Sequence, residues 1–497
     1  MRARRLTAAL ASGAVLVGLA ACGSDDSSGP SASPSSTGDS VQGGGTATPE
    51  GGGGDVKEQY AAAVSEPVED SVYPDIGEPD VDALHYALSL QWDPGSKTLT
   101  GDEELTFRST ADGDHVQLDL EPQLEVSAVQ VDGADAEFEH TAKNLAVSGD
   151  FAADQQYVMT IAYSGRPAPV EAPTTRSDFS TTGFTVTDDG SAWTMQEPYG
   201  AYSWYAVNDQ PADKAFYDFT LTAPEPMRGV ANGMLTGVEQ VDGSSVSTFH
   251  LDSTTSSYLV TVAFGNYRKL DAPSVNGVPI TYWYPKGTPK KYVQSLKYTP
   301  KALEWVESKL GDYPWSSLGM LLVDSNSGME TQTLITLGDT DYTTQKDTIV
   351  HEIVHQWYGD RVTPDDWRDL WMNEGMAMYL QFVWQSETSG VPIETILRQA
   401  AAYERQSRAV NGPPAAYDPK TFGEIQVYYG PALMWDQIRR RVGDDTFWAM
   451  VKAWPESDAD GTVSRDEYLP WIEKQTGADL HDLFDGWLLA KASPAFS

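Results

Sequence analysis

The hydrophobic period changes once along the chain, and that change decides what the chain can fold into. Between about residues 80 and 270 apolar and polar residues alternate, as in Leu84-His85-Tyr86-Ala87-Leu88-Ser89-Leu90. Asp-Pro-Gly at 93–95 and Asp-Gly at 132–133 and 242–243 punctuate these runs as turns. From about residue 290 the apolar residues recur at helical spacing, over 301–310, 344–358, 374–384, 391–407, 432–441 and 445–454. One short apolar run, Leu318–Val323, reads as a strand before a Gly-containing loop. Strands first and helices second predict a multidomain α+β protein. An antiparallel β domain, saddle- or sandwich-shaped, should span 71–272, and a mainly α domain 273–497.

Composition narrows the function classes. The 497 residues suffice for two or three domains. The net charge of −39, with no basic tract beyond the N-terminus, speaks against nucleic acid as a partner. One cysteine excludes an intrachain disulfide and any multi-cysteine metal site.

That cysteine has a specific place. Arg2, Arg4 and Arg5 precede an apolar stretch ending Leu19-Ala20-Ala21-Cys22, which resembles a bacterial lipobox. Residues 1–21 are expected to be a lipoprotein signal peptide, with Cys22 lipidated. Residues 22–70 would be a disordered Gly/Ser-rich linker, its composition too polar to offset chain entropy by burial. The expected location is the outer face of the bacterial cytoplasmic membrane, held there by the lipid.

The helical run 344–358 contains His351-Glu352-Ile353-Val354-His355. Residues i and i+4 lie on one helix face, so both imidazoles can hold one metal ion with Glu352 beside them. Eighteen residues separate His355 from Glu374, at the start of the next helical run. Glu374 completes a two-histidine, one-glutamate set that leaves a position open for water, as in catalytic zinc sites. One Zn2+ is therefore expected. Glu352 is the expected general base, taking a water proton and passing it to the leaving amine.

Around this motif the chain resembles the aminopeptidase N family of gluzincin metallopeptidases. The likeness is carried by 351–360, by Trp-Arg-Asp-Leu-Trp-Met-Asn-Glu-Gly-Met-Ala-Met-Tyr at 367–379, by 196–198 and 209–215, and by Ser257-Tyr258-Leu259-Val260. It implies a thermolysin-like catalytic domain and removal of N-terminal residues from peptides with a free N-terminus. The segment Tyr428-Tyr429-Gly430-Pro431-Ala432 matches the family's oxyanion-stabilising tyrosine segment. It departs at Gly430 and Pro431, and it makes Tyr428, with Tyr429 as the alternative, the expected donor. Ser327-Gly328-Met329-Glu330-Thr331 resembles the family's Gly-x-Met-Glu-Asn loop. Glu330 and Glu197 would hold the substrate ammonium, and the backbone at Gly328 and Met329 would pair with the peptide. The helical domain that closes the family's cleft does not follow residue 488 here, so a more open cleft is expected.

Two rival functions use the same residues. An endopeptidase or a non-peptide hydrolase of epoxide type would share the zinc site without the ammonium anchor. A non-catalytic peptide-binding lipoprotein would have no use for Glu352. Residues 456–467 have the spacing of a calcium-binding EF-hand loop, but with Glu456 in first position. The segment reads instead as an inter-helix loop, without Ca2+.

Overall fold

The computed structural model describes residues 54–457 and 459–496. Cys22, the signal peptide and most of the linker lie outside the described residues. Among those described, no helix is long and apolar enough to cross a membrane.

The alternating half forms an eight-stranded sheet. From one edge to the other its strands are Met234–Val241, Ser244–Ser256, Lys214–Pro224, Val81–Asp93, Thr98–Ser109, Gln155–Gly165, Leu124–Val131 and Ala134–Asp135. Tyr86, Leu88, Leu90 and Trp92 turn inward from one face of strand Val81–Asp93, as a period of two requires. Two smaller sheets share its core. One contains Ala192–Met195 and Val262–Gly265, and the other Gly113–Asp119 and Asn144–Phe151. Pairing in the large sheet is antiparallel with one exception. Val81–Asp93 lies parallel to Lys214–Pro224, with His85 opposite Phe216. Parallel neighbours need a long crossover, and the 120 or so residues between these strands, most of the β domain, supply one.

A five-stranded sheet opens the second half, in the order Tyr267–Val275, Val278–Pro285, Leu318–Val323, Leu334–Gly338 and Gly328–Met329. The two-residue strand Gly328–Met329 is its edge. Helices α1 (Lys290–Leu296) and α2 (Thr299–Leu310) intervene before strand Leu318–Val323, and after the sheet come α3 (Lys346–His355), α4 (Trp371–Ser389), α5 (Ile393–Asn411), α6 (Ile425–Val442), α7 (Asp444–Ser457) and α8 (Arg465–Thr476). Helix α3 is buried from Thr348 to His355, so polar residues on it are enclosed by the core. A 3-10 turn, Trp367–Asp369, leads into α4, and left-handed Gly390 ends that helix.

Two sequence expectations change. The last predicted stretch of the linker is not loose. Glu58–Ala63 forms a 3-10 turn with Ala63 buried. The Ser65 and Val68 amides donate to Asp82 and Gln210 of the β domain. Asp70 and Ser71 reach the helical half. Trp367 N donates to Asp70 at 2.7 Å, and Ser71 N and Oγ donate to Asp366 at 2.9 Å. The strap is thus tied down mostly through its backbone amides, with the side chains of Asp70 and Ser71 adding bonds to the helical half.

The helix expected to begin after Pro431 begins at Ile425 and contains that proline. Proline forfeits one backbone bond there, and its ring packs against α4. A Cβ on Gly375 would stand only 2.3 Å from Pro431 Cβ, so the pairing of these two residues lets α4 and α6 close up.

Candidate metal centre

Helix α3 presents His351 and His355 one turn apart, and the first turn of α4 brings Glu374 to them. The two Nε2 atoms lie 3.1 Å apart. Glu374 Oε2 is 3.2 Å from Nε2 of His351 and 3.4 Å from Nε2 of His355. A tetrahedral zinc ion with ligand bonds of about 2.0–2.1 Å needs donor atoms ~3.3 Å apart, and this triangle fits it. His355 Nδ1 donates to the Tyr358 carbonyl at 3.1 Å, which leaves the Nε2 lone pair free for a metal. The residues present thus fit the ion that the motif implies.

Glu352 points to the same space from the adjoining position of α3. Ligand atoms of Glu330, Glu352 and His355 fall within 4.8 Å of one another, as do those of Glu197, Glu330 and Glu374. Gly328 explains how Glu352 fits. A Cβ there would meet Glu352 Oε1 at 2.7 Å, so the edge strand passes the carboxylate at a distance only glycine permits. Met329 turns into the hydrophobic core of the helical half. Gln356 fixes the anchor loop, donating to the Glu330 carbonyl at 2.8 Å and accepting from Thr333 N at 3.0 Å. Glu197 arrives from the β domain, following Gln196, whose amide donates to Ser257 O at 2.7 Å.

The pocket is rich in carboxylates, with Arg176 at its rim. Burial, then the Glu330 charge, pushes Glu352 up to about 8. Burial, then Glu330 and Glu374, raises Glu197 well above its ordinary range. Burial also raises Glu330. Against the opposing push of burial, the two imidazoles hold Glu374 well below the usual range. Asp360 is fully buried with neither carboxylate oxygen bonded, and burial and Glu330 raise it in turn. Glu197 and Glu330 each keep a buried Oε1 without a hydrogen-bond partner. Such orphaned acceptors are costly unless a donor completes them.

The two tyrosine candidates separate cleanly. Tyr428 lies with its ring stacked on that of His351 at 6.1 Å, facing the metal centre. Tyr429 turns away onto Phe382, 5.5 Å between centroids. The aromatic run at 193–205 contributes mainly to the β-domain core. The sequence reading missed Arg176 and Asp178, which line the rim beside Tyr428. They sit in a β-domain loop that carries no motif, so nothing in the sequence marked them. In the loop 456–467, Glu456 pairs with Arg361 at 3.0 Å, while Glu467 closes a capping box with Ser464 at the start of α8.

Comparison with known proteins extends over both halves. Residues 82–259 match the peptidase M1 N-terminal domain, and residues 294–487 match the peptidase family M1 domain. Aminopeptidase 2 of Candida albicans is 24% identical over 442 residues, covering 82% of this chain and 47% of its own length. Aminopeptidase N of Lactobacillus helveticus is 26% identical over 440 residues, covering 82% and 51%. The chain thus spans about half the length of the curated relatives it matches. The crystal structure of an M1 zinc metallopeptidase from Deinococcus radiodurans superimposes with a TM-score of 0.79 at 25% identity, covering 86% of this chain and 98% of that one.

Proposed function

Because the chain belongs to peptidase family M1, we propose that it is a zinc-dependent aminopeptidase that removes N-terminal residues from peptides. One observation carries this reading beyond metallopeptidase. Glu197 and Glu330 converge beside the metal centre, each with a buried oxygen that accepts no hydrogen bond. A substrate α-ammonium supplies the positive charge and the donors these oxygens need, and it fixes the scissile bond one residue away.

Each residue then has a defined task. His351, His355 and Glu374 hold the zinc ion. When bound, zinc supplies Lewis-acid polarisation of a carbonyl and an acidified water. The substrate backbone adds as a strand along Gly328–Met329, the edge of the five-stranded sheet. Glu352 accepts a proton from the attacking water and delivers it to the leaving amine. Tyr428 donates its hydroxyl hydrogen to the oxyanion that develops on the former carbonyl.

The test compares a peptide bearing a free N-terminus with its N-acetylated twin, using zinc-loaded protein and mass spectrometry. Stepwise trimming of the free peptide alone is expected. Internal cleavage of both peptides would overturn the reading in favour of an endopeptidase, and cleavage of neither would return the chain to a binding role.

The lipoprotein reading remains part of the proposal and is supported by sequence alone. Cys22 carries the lipid, residues 1–21 are removed, and the catalytic unit acts at the outer membrane face. Intact mass of the processed N-terminal peptide tests this. A diacylglyceryl adduct on Cys22 is expected, and an unmodified, uncleaved N-terminus would refute it.

A further inference from the structure

The loop between strands Val170–Glu171 and Thr181–Val186 crosses from the β domain onto the catalytic domain. It is stitched there by backbone and side-chain bonds. Phe422 N donates to Pro173 O at 2.9 Å, and Thr174 Oγ1 donates to Phe422 O at 2.7 Å. The loop delivers Arg176 to the mouth of the metal centre. Arg176 Nη1 donates to Tyr428 Oη at 3.0 Å and to Gly423 O at 2.9 Å. Its Nε and Nη2 grip the two oxygens of Asp178, the first at 3.0 Å. Ser327, next to the edge strand, donates to Asp178 in turn at 3.4 Å. The guanidinium also lies 4.8 Å from the Phe179 ring centroid.

We propose that Arg176 is a positioning residue that acts through Tyr428, holding its hydroxyl as a donor into the metal centre. The proposal rests on the oxyanion role assigned to Tyr428 above. A tyrosine hydroxyl has one hydrogen and two lone pairs, whereas a guanidinium only donates. With Arg176 occupying a lone pair, the hydroxyl hydrogen must point elsewhere. Glu374 of the metal-ligand set is a side-chain hydrogen-bond partner of the Tyr428 hydroxyl, and the ring lies against His351, so that hydrogen is directed into the metal centre. The rotor is thereby set before substrate arrives, and no reorganisation is needed as charge develops. The adjacent positive charge also makes the hydroxyl a stronger donor. Asp178 grips the guanidinium through a two-point fork and keeps it from swinging to solvent. The β domain would then contribute to the chemical step as well as to substrate recognition.

A double-mutant cycle on Arg176→Ala and Tyr428→Phe tests the inference. Two readouts serve in zinc-loaded protein: kcat and KM on an aminoacyl p-nitroanilide, and calorimetric affinity for a phosphinic dipeptide that mimics the tetrahedral oxyanion. Loss of one charge-assisted hydrogen bond predicts that Arg176→Ala lowers kcat on the order of tenfold or more, with KM nearly unchanged. The double variant should be no slower than Tyr428→Phe alone. Arg176→Lys should recover part of the rate, and Asp178→Asn, which leaves the cation in place, should lose less than Arg176→Ala. Multiplying losses in the double variant, or a rise in KM alone, would overturn the proposal and make Arg176 a direct substrate contact. If wild-type protein cleaves no peptide, the aminopeptidase reading falls. The phosphinate cycle still decides the Arg176–Tyr428 coupling, because binding needs no turnover.

Discussion

The α3–α4 pair and the β-domain rim both build the metal centre and its surroundings, by opposite means. The helices bring His351, Glu352, His355 and Glu374 together within 24 residues of chain, through helical spacing and one close helix contact. The rim collects Glu197 and Arg176 from separate loops of another domain, each placed by hydrogen bonds to residues distant in the chain: Gln196 to Ser257, Thr174 to Phe422 and Arg176 to Gly423. On the present account the helical part performs bond cleavage, and the Glu197–Glu330 pair selects the end of the chain to be cleaved. Chemistry can be encoded locally because its geometry is that of one helix and its neighbour. Selection depends on where two domains meet.

The sharpest way to break this division is Glu352→Gln. It should lower kcat by about 10²–10⁴, with zinc content by atomic absorption unchanged. Loss of zinc together with activity would show that Glu352 belongs to the metal shell. Glu330→Gln and Glu197→Gln should act on selection instead. Each removes a charged partner of the ammonium and should cost roughly 10–100-fold in kcat/KM for free-amine peptides. Gly328→Ala probes the point where the two parts touch. Its Cβ would displace Glu352, and displacements of this kind cost on the order of 10²-fold. Kinetics and thermal unfolding together should show lost activity without a matching loss of stability.

The pH profile reads the coupling between Glu330 and Glu352. Glu352 must be ionised to accept a proton, and burial with the Glu330 charge raises its pKa. Activity should therefore fall as pH drops through a point above the ordinary glutamate range. Bound zinc draws that point down from about 8 by favouring the ionised form. Glu330→Gln removes one negative neighbour, so the acid limb of kcat/KM should move to lower pH. An unmoved limb would assign it to another group. The smallest effect is expected at the strap. Asp70→Ala leaves the amides of Val72, Tyr73 and Trp367 without their acceptor and should cost about 1–3 kcal/mol in denaturant unfolding.

What could be read from the sequence follows the same divide. The period change located both halves, and strand Leu318–Val323 matches the observed element from end to end. The zinc ligands were legible because i, i+4 spacing is a property of one helix. Glu197, Glu330 and Tyr428 were reached through family resemblance, since no periodicity joins residues so far apart in the chain. Arg176 was invisible, because its role comes from a loop docking on Gly423 and Phe422 some 250 residues later. The strap at 55–70 was misread for a related reason. It carries no strand or helix period of its own, and its order comes from acceptors on Asp82, Gln156 and Gln210.

The most direct test of the division is the ratio of kcat/KM for a free-amine peptide to that for its N-acetylated twin. It should be measured in wild-type protein and in the Glu197→Gln, Glu330→Gln double variant. A large ratio is expected in the wild type, collapsing in the variant through loss of the rate on the free-amine peptide, with zinc retained. A ratio that survives loss of both carboxylates would contradict the division and place recognition of the N-terminus elsewhere in the molecule.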